Sequence, residues 1–352
     1  MKKTSIQDIA AALALSRNTV SKALSGDDIV APETRKLVVK TALEMGYPRI
    51  KITFPENYED TGFRQKTNSI LLLCNRYPSG FWSRIIMGIS DIINANRDNL
   101  MLHIVSHDEE EYCTIPSELK DSVDGVIFLS VFNKNYTDAI CSCNKPVVFL
   151  DAPVDYSIYL KKGDIIVTEG YSTTKEITLK LISQGLQRLC FIGDITYCKS
   201  IRDRYDGFMA ALELARIKPD RRIHFTSHTI NNYYNIDEVM SAINKLDYIP
   251  DAIVCANDDI AKDVYQIFRR SNIKIPQDIA VTGFDNSEAA ELLEPALTTV
   301  AVHNHTIGTR LAEALYSRFR TPDKPYEMVN ISSDVMFRAS SEKYMDTQKL
   351  GY

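Results

Sequence analysis

The chain has 352 residues, 45% of them apolar and 25% charged, ordinary globular values that exclude extended disorder and allow two or three domains. No run of eighteen apolar residues occurs, and the start, MKKTSIQDIA, turns polar where a secretory signal needs its apolar stretch, so neither membrane spanning nor export is expected. Net charge is −5, and the seven cysteines (Cys74, Cys113, Cys141, Cys143, Cys190, Cys198, Cys255) form no C-x-x-C pair, which suits the reduced thiols of a cytoplasmic protein better than a disulfide framework or a zinc ribbon.

Residues 1–52 carry nine basic side chains against five acidic ones, a net +4 that leaves −9 for the remainder. A basic head on an acidic body fits a chain that meets a polyanion at its amino-terminal end, although a solvated basic face gives the same sum. Within the head, Ile6, Ile9, Ala10 and Leu13 recur at helical spacing. After the turn Ala14-Leu15, Ser16 is placed to cap a second helix over 17–24, with Val20, Ala23 and Leu24 inward and Arg17, Asn18, Ser21 and Lys22 outward. A third helix is expected over 32–45, opened by Pro32 and closed by Gly46. The first two helices are too short to bury their faces alone, so all three form one unit. A second helix that exposes Arg, Asn, Ser and Lys reads as the recognition element of a helix-turn-helix. Arginine takes guanine bidentately and asparagine takes adenine, while Ser21 and Lys22 reach phosphates or base edges. Thr4, Ser16 and Thr19 complete the DNA-contact candidates.

The string from Thr4 to Tyr47 resembles the amino-terminal signature of the LacI/GalR family of bacterial transcription regulators. The matching parts are the IxDIA opening, the S-x-x-TVSKAL helix, V-x-x-ETR and the closing MGY. The resemblance implies that Arg17 and Asn18 choose operator bases and that Lys22 fills the family's basic position. Ala14 stands where a turn glycine is common, and Ala31 replaces the usual serine cap. Residues 49–67 depart further: the family's Ala-Arg-x-Leu hinge is missing, and Pro55 would interrupt a helix across the segment. Residues 49–67 therefore read as a flexible tether without a minor-groove wedge, and weak central bending of the operator, or none, is expected.

From Thr67 onward short β-branched runs alternate with amphipathic stretches. Strands are expected at 69–74, 101–105, 125–129, 146–150, 165–167, 189–192, 252–255 and 279–282, and helices at 82–96, 173–184, 205–215, 237–246 and 260–270. Apolar strands separated by helices imply parallel sheets covered on both faces, and about 285 residues of this pattern exceed one comfortable core, so two α/β lobes are expected. The expected domains are 1–48, the head; 49–67, the linker; and 68–352, for effector binding and dimerisation.

In such sheets ligands sit beyond the carboxyl ends of the strands. Asp151 follows VVFL, Asn257 follows IVCA, Asp285 follows AVTGF, and Arg204 lies in SIRDRYDGF, where a loop enters a helix. Asp, Asn and Arg suit sugar hydroxyls, which both donate and accept hydrogen bonds, yet Asp and Asn at these places equally suit helix caps. The family resemblance continues through FWSRIIMGI, VDGVIFL, PVVFLD, RDRYDGFMAAL, CANDDIA, VTGFDN and PALTTV. It implies a two-lobed, periplasmic-binding-protein-like effector domain with Asp151, Arg204, Asn257 and Asp285 as ligand contacts and Phe81 and Trp82 as a pocket-lining aromatic pair. Core packing is the alternative for Trp82. Glu169-Gly170 stands where Asp-Asn is typical.

Against an enzyme, the chain has no G-x-S-x-G, G-x-G-x-x-G, H-E-x-x-H or Walker motif. His303-Asn304-His305 has no accompanying carboxylate or cysteine cluster in sequence and reads as structural, at the start of a helix. An exported sugar-binding protein would share the body but not the head. The expectation is a homodimeric, effector-responsive regulator, a repressor, that binds operator DNA and a sugar or sugar derivative and needs no cofactor or metal. Inducer and corepressor both remain open.

Overall fold

The computed structural model describes residues 5–25, 29–45, 47, 49–52, 67–75, 80–219, 244 and 248–342. The head is three helices: α1 (Ile6–Ala12), α2 (Arg17–Ser25) and α3 (Pro32–Glu44). Ser5 and Asp8 form a reciprocal capping box at α1. At α2 the Ser16 hydroxyl accepts the Thr19 N–H at 3.0 Å. Ile9, Val20, Val38 and Ala42 are fully buried, so the inward faces expected from spacing form the core of the head. Between α1 and α2, Ala14 adopts φ +52°, the left-handed geometry that makes glycine common at such a turn.

The tether expected over 49–67 gives way at its start to a strand. β1 (Arg49–Ile52) pairs antiparallel with β3 (Asn99–Ile104), Lys51 opposite Met101. Two β-branched isoleucines in a four-residue run suit an extended chain, and the edge of a sheet supplies the backbone partners. Residues 53–66, Pro55 among them, lie outside the described residues.

The remaining strands of that sheet are β2 (Ser69–Cys74), β4 (Gly125–Phe128), β5 (Val147–Leu150), β6 (Asp164–Thr168) and β11 (Met328–Ile331), in the order β1-β3-β2-β4-β5-β6-β11. The pairs from β3 to β6 are all parallel, and β4, β5 and β6 are buried throughout, as near-continuous apolar strands require. The chain divides into two compact units. The first comprises 1–151, 157–166 and 304–329; the second comprises 152–156, 167–303 and 330–352.

In the first unit lie α4 (Gly80–Ala95), α5 (His107–Glu111), α6 (Glu118–Asp121) and α7 (Lys134–Cys141). The second holds α8 (Tyr171–Ser183), α9 (Lys199–Leu214), α10 (Asp258–Arg270) and α11 (Glu288–Leu292). Its parallel sheet is β7 (Leu189–Ile192), β8 (Ala252–Cys255) and β9 (Ala280–Thr282), joined by an antiparallel pair, β10 (Thr299–Ala301) with β12 (Asp334–Met336). α12 (Asn304–Arg320) returns to the first unit and packs on α4 at backbone contact. A methyl group on Gly88 would strike the His305 carbonyl, and one on Gly308 the Ile85 carbonyl. The helix expected over 237–246 lies outside the described residues, Asn244 apart.

Candidate functional site

On the head, Arg17, Asn18 and Ser21 are exposed along α2, and Lys22 and Thr19 are half-buried. The Ser16 and Thr19 hydroxyls lie 2.7 Å apart, so both also serve the start of the helix. Thr4 lies outside the described residues. What α2 offers a duplex is a guanidinium, a carboxamide, a hydroxyl and an ammonium on one short face, the donor and acceptor set that reads base edges and grips phosphate.

In the first unit, Phe81 and Trp82 sit in the first turn of α4, half-buried, with ring centroids 5.3 Å apart and planes at 86°. Asp151 follows β5 with a left-handed backbone, φ +63°, its N–H donated to the Ile166 carbonyl at 2.9 Å. A non-glycine residue held in this region marks a place where the surroundings enforce a disfavoured geometry, as functional sites often do.

In the second unit, Arg204 and Asp285 come together. Arg204, on α9, is 7% exposed; its Nη1 donates to the Ala256 carbonyl at 2.5 Å, and its guanidinium carbon lies 3.6 Å from the centre of the Phe284 ring. Nη2 stands 3.9 Å from the Asp285 carboxyl, and the buried Nε has no hydrogen-bond partner. Gly170 makes room for the arginine stem, because a Cβ there would come within 2.7 Å of the Arg204 Cγ. Glu169, its neighbour, accepts the Ser172 N–H at 2.6 Å and so caps α8. Asn257 is buried, and its Oδ1 accepts the Ile260 N–H at 2.9 Å, which is the capping role; its amide nitrogen is not used by that bond.

Asp285 is left-handed as well, φ +111°, with its N–H on the Val300 carbonyl at 3.0 Å. Burial pushes its carboxyl up to about 8; the Arg204 charge opposes the rise, and Asp258 and Asp259 add to it. Asp258, not singled out from the sequence, is buried, unlike the partly exposed Asp285, and is pushed up to about 6 by desolvation, against hydrogen bonds from Thr299 and Ser287 that favour its charge. A guanidinium with an unused Nε beside a partly exposed carboxyl can bind adjacent hydroxyls with donors and acceptors at once. His303 and His305 go to different carboxylates, Asp334 at 3.0 Å and Asp91 at 2.8 Å. Among the described residues no helix is long and apolar enough to cross a membrane.

Residues 178–341 match the family model described as a periplasmic binding protein-like domain. The regulator RegA of Clostridium saccharobutylicum, described as HTH-type, is 28% identical over 87% of this chain and 90% of its own length. The ribose operon repressor of Haemophilus influenzae is 23% identical over 95% of this chain and 98% of its own. Among solved structures, the complex of the transcriptional regulator CelR with cellobiose has the same fold, with a TM-score of 0.68, 20% identity, and coverage of 96% of this chain and 100% of that one. These matches run over most of the chain, which is similar along that length to HTH-type and LacI-type transcription regulators.

Proposed function

We propose that the chain is a homodimeric repressor of the cytoplasm whose affinity for operator DNA is set by a small-molecule effector, a sugar or sugar derivative. It is a regulator and not an enzyme. The observation that carries this reading is the joining of a helix-turn-helix head to periplasmic-binding-type units in one chain, the combination shared with relatives named as regulators. A sugar is favoured because one relative is named for the ribose operon and one structural neighbour holds cellobiose.

In this reading residues 1–48 bind DNA, with Thr4, Ser16, Arg17, Asn18, Thr19, Ser21 and Lys22 at the duplex; 49–67 link; and 68–352 bind effector and dimerise. Two heads related by two-fold symmetry read two half-sites of a pseudo-palindrome, which compensates for the small reach of one short helix. Phe81, Trp82, Asp151, Arg204, Asn257 and Asp285 contact the effector. The support is local. Both aspartates stand at strand ends in left-handed geometry, and Arg204 is buried with hydrogen-bonding capacity to spare. An effector shifts operator affinity only as far as it binds the two functional states unequally; a coupling of about 1–3 kcal/mol changes it roughly five- to 150-fold.

The head is tested by selecting operator sequences in vitro and measuring anisotropy at fixed salt. Arg17→Ala is expected to lose about 1–3 kcal/mol of discrimination at one base position per half-site. Lys3→Ala is expected to weaken all sequences alike and to reduce the salt dependence. Equal loss of discrimination in both variants contradicts the assignment of α2 as the reading helix.

A further inference from the structure

Asp285 is not the only strained residue of its turn. Its φ of +111° is followed by +47° at Asn286, so two successive non-glycine residues hold geometries that side chains disfavour. Such a turn persists only where its surroundings over-determine it. On one side stands Asp258, the first residue of α10, 3% exposed. Its carboxylate accepts the Ser287 N–H at 2.7 Å and the Thr299 hydroxyl at 2.6 Å, and the same threonine oxygen accepts the Asn286 N–H at 3.2 Å. A Cβ on Gly283 would collide with this carboxylate, so Asp258 lies directly against the backbone that leads into the turn.

On the other side stands Arg338, near the end of the described chain. Its guanidinium donates to the Asn286 side-chain oxygen at 2.9 Å, to the Leu297 carbonyl at 3.0 Å and to the Glu291 carboxylate at 2.9 Å. Its backbone is fixed in turn, because its N–H donates to the Thr298 hydroxyl at 2.7 Å and its carbonyl accepts from that hydroxyl at 2.8 Å. These partners come from four separate stretches of the second unit and converge on residues 285–287.

We propose that Asp258 and Arg338 are positioning residues of the effector site, holding the left-handed turn at Asp285 and Asn286 between them and so fixing the Asp285 carboxyl beside Arg204. The functional meaning of the inference rests on the assignment of Asp285 to the effector site. Its test reads Asp285 itself and uses no ligand. The charged groups acting on that carboxyl are Arg204, Asp258 and Asp259; the Arg338 variants alter none of them, whereas Thr299→Val also removes a hydrogen bond that favours the charged form of Asp258, so the Arg338 pair decides between the causes.

The full chain is labelled with carboxyl-13C aspartate, the Asp285 resonance is identified by its loss in Asp285→Asn, and its titration midpoint is followed by NMR. The wild-type midpoint is expected near 8. Arg338→Lys keeps the charge but not the planar three-acceptor fork; as the turn loosens and the half-buried carboxyl gains further exposure, the midpoint is expected to fall by about one pH unit or more. Arg338→Met separates the causes by sign, since loss of a distant positive charge alone would raise the midpoint whereas release of the turn lowers it. On the Asp258 side, Thr299→Val removes the hydroxyl shared by Asp258 and Asn286 and is expected to lower the midpoint, with Thr299→Ser restoring it.

Thermal melts accompany each titration. A side chain that merely braces the fold lowers the melting temperature and leaves the Asp285 midpoint in place. A midpoint unchanged in Arg338→Lys and raised in Arg338→Met, or one in Thr299→Val equal to wild type, overturns the proposal. If no sugar binds the protein at all, these titrations are unaffected, so a failed effector assignment and a failed positioning role are told apart.

Discussion

Asp285 is where burial and chemistry conflict most openly. A carboxyl pushed up to about 8 is largely protonated at neutral pH, yet a carboxylate is the better acceptor for two sugar hydroxyls. Effector affinity is therefore expected to rise with pH up to about 8 and to level off above it, by up to about tenfold per pH unit on the rising limb. Asp285→Asn is expected to abolish that dependence; calorimetric titration of a bound sugar between pH 6 and 9 measures it, and a flat wild-type profile contradicts the role. The stability effect runs the other way. Because the folded midpoint lies above the ordinary carboxylate value, the contribution of Asp285 is fully present below that ordinary value and is lost as pH rises through about 8. Asp151, Arg204 and Asp285 stand out in the sequence because each is expected to follow a strand or to lie where a loop enters a helix; the structure instead places Arg204 within α9. The same position made Asn257 legible in two ways, and its Oδ1 serves the cap. Asp258 was not legible, since its partners Ser287 and Thr299 are 29 and 41 residues away and nothing local marks them.

The elements best read from sequence were those with strong periodicity or continuous apolar runs: the three head helices and eight strands, within a residue or two at most ends. The β-branched run of β1 reads as a tether because the charged and aromatic stretch after it dominates the pattern, and its partner is an edge some fifty residues further on. Helix α7, KNYTDAIC, carries too few apolar residues to announce itself, and the three-residue strands β10 and β12 exist only by pairing across 35 positions. The contact of α4 with α12 was equally hidden, for a glycine in a helical pattern looks like a weakness until a neighbouring backbone occupies the space. Gly308→Ala is expected to cost about 3 kcal/mol, an overpacking penalty with backbone on the far side of the clash. Urea denaturation measures it, and a loss below about 1 kcal/mol would mean that the two helices separate easily.

At the scale of the whole molecule, residues 1–52 carry +4 and the remainder −9, although two of those positive charges, Arg49 and Lys51, lie on β1 beyond the three head helices. The sequence also conveyed the joining of head to parallel α/β units, because helix-turn-helix spacing and strand-helix alternation are both local patterns. The effector's identity was not legible, since hydroxyl-binding side chains are shared by many sugars and their derivatives. Whether one small molecule acting through Arg204 and its neighbours sets operator affinity is decided by anisotropy of a selected operator duplex at fixed salt. Wild type and Arg204→Ala are titrated with neutral sugars, sugar phosphates and purines. A sugar or sugar derivative is expected to shift wild-type operator affinity by roughly five- to 150-fold, and Arg204→Ala to lose this response; a compound that shifts both proteins equally rules out Arg204 as the effector contact.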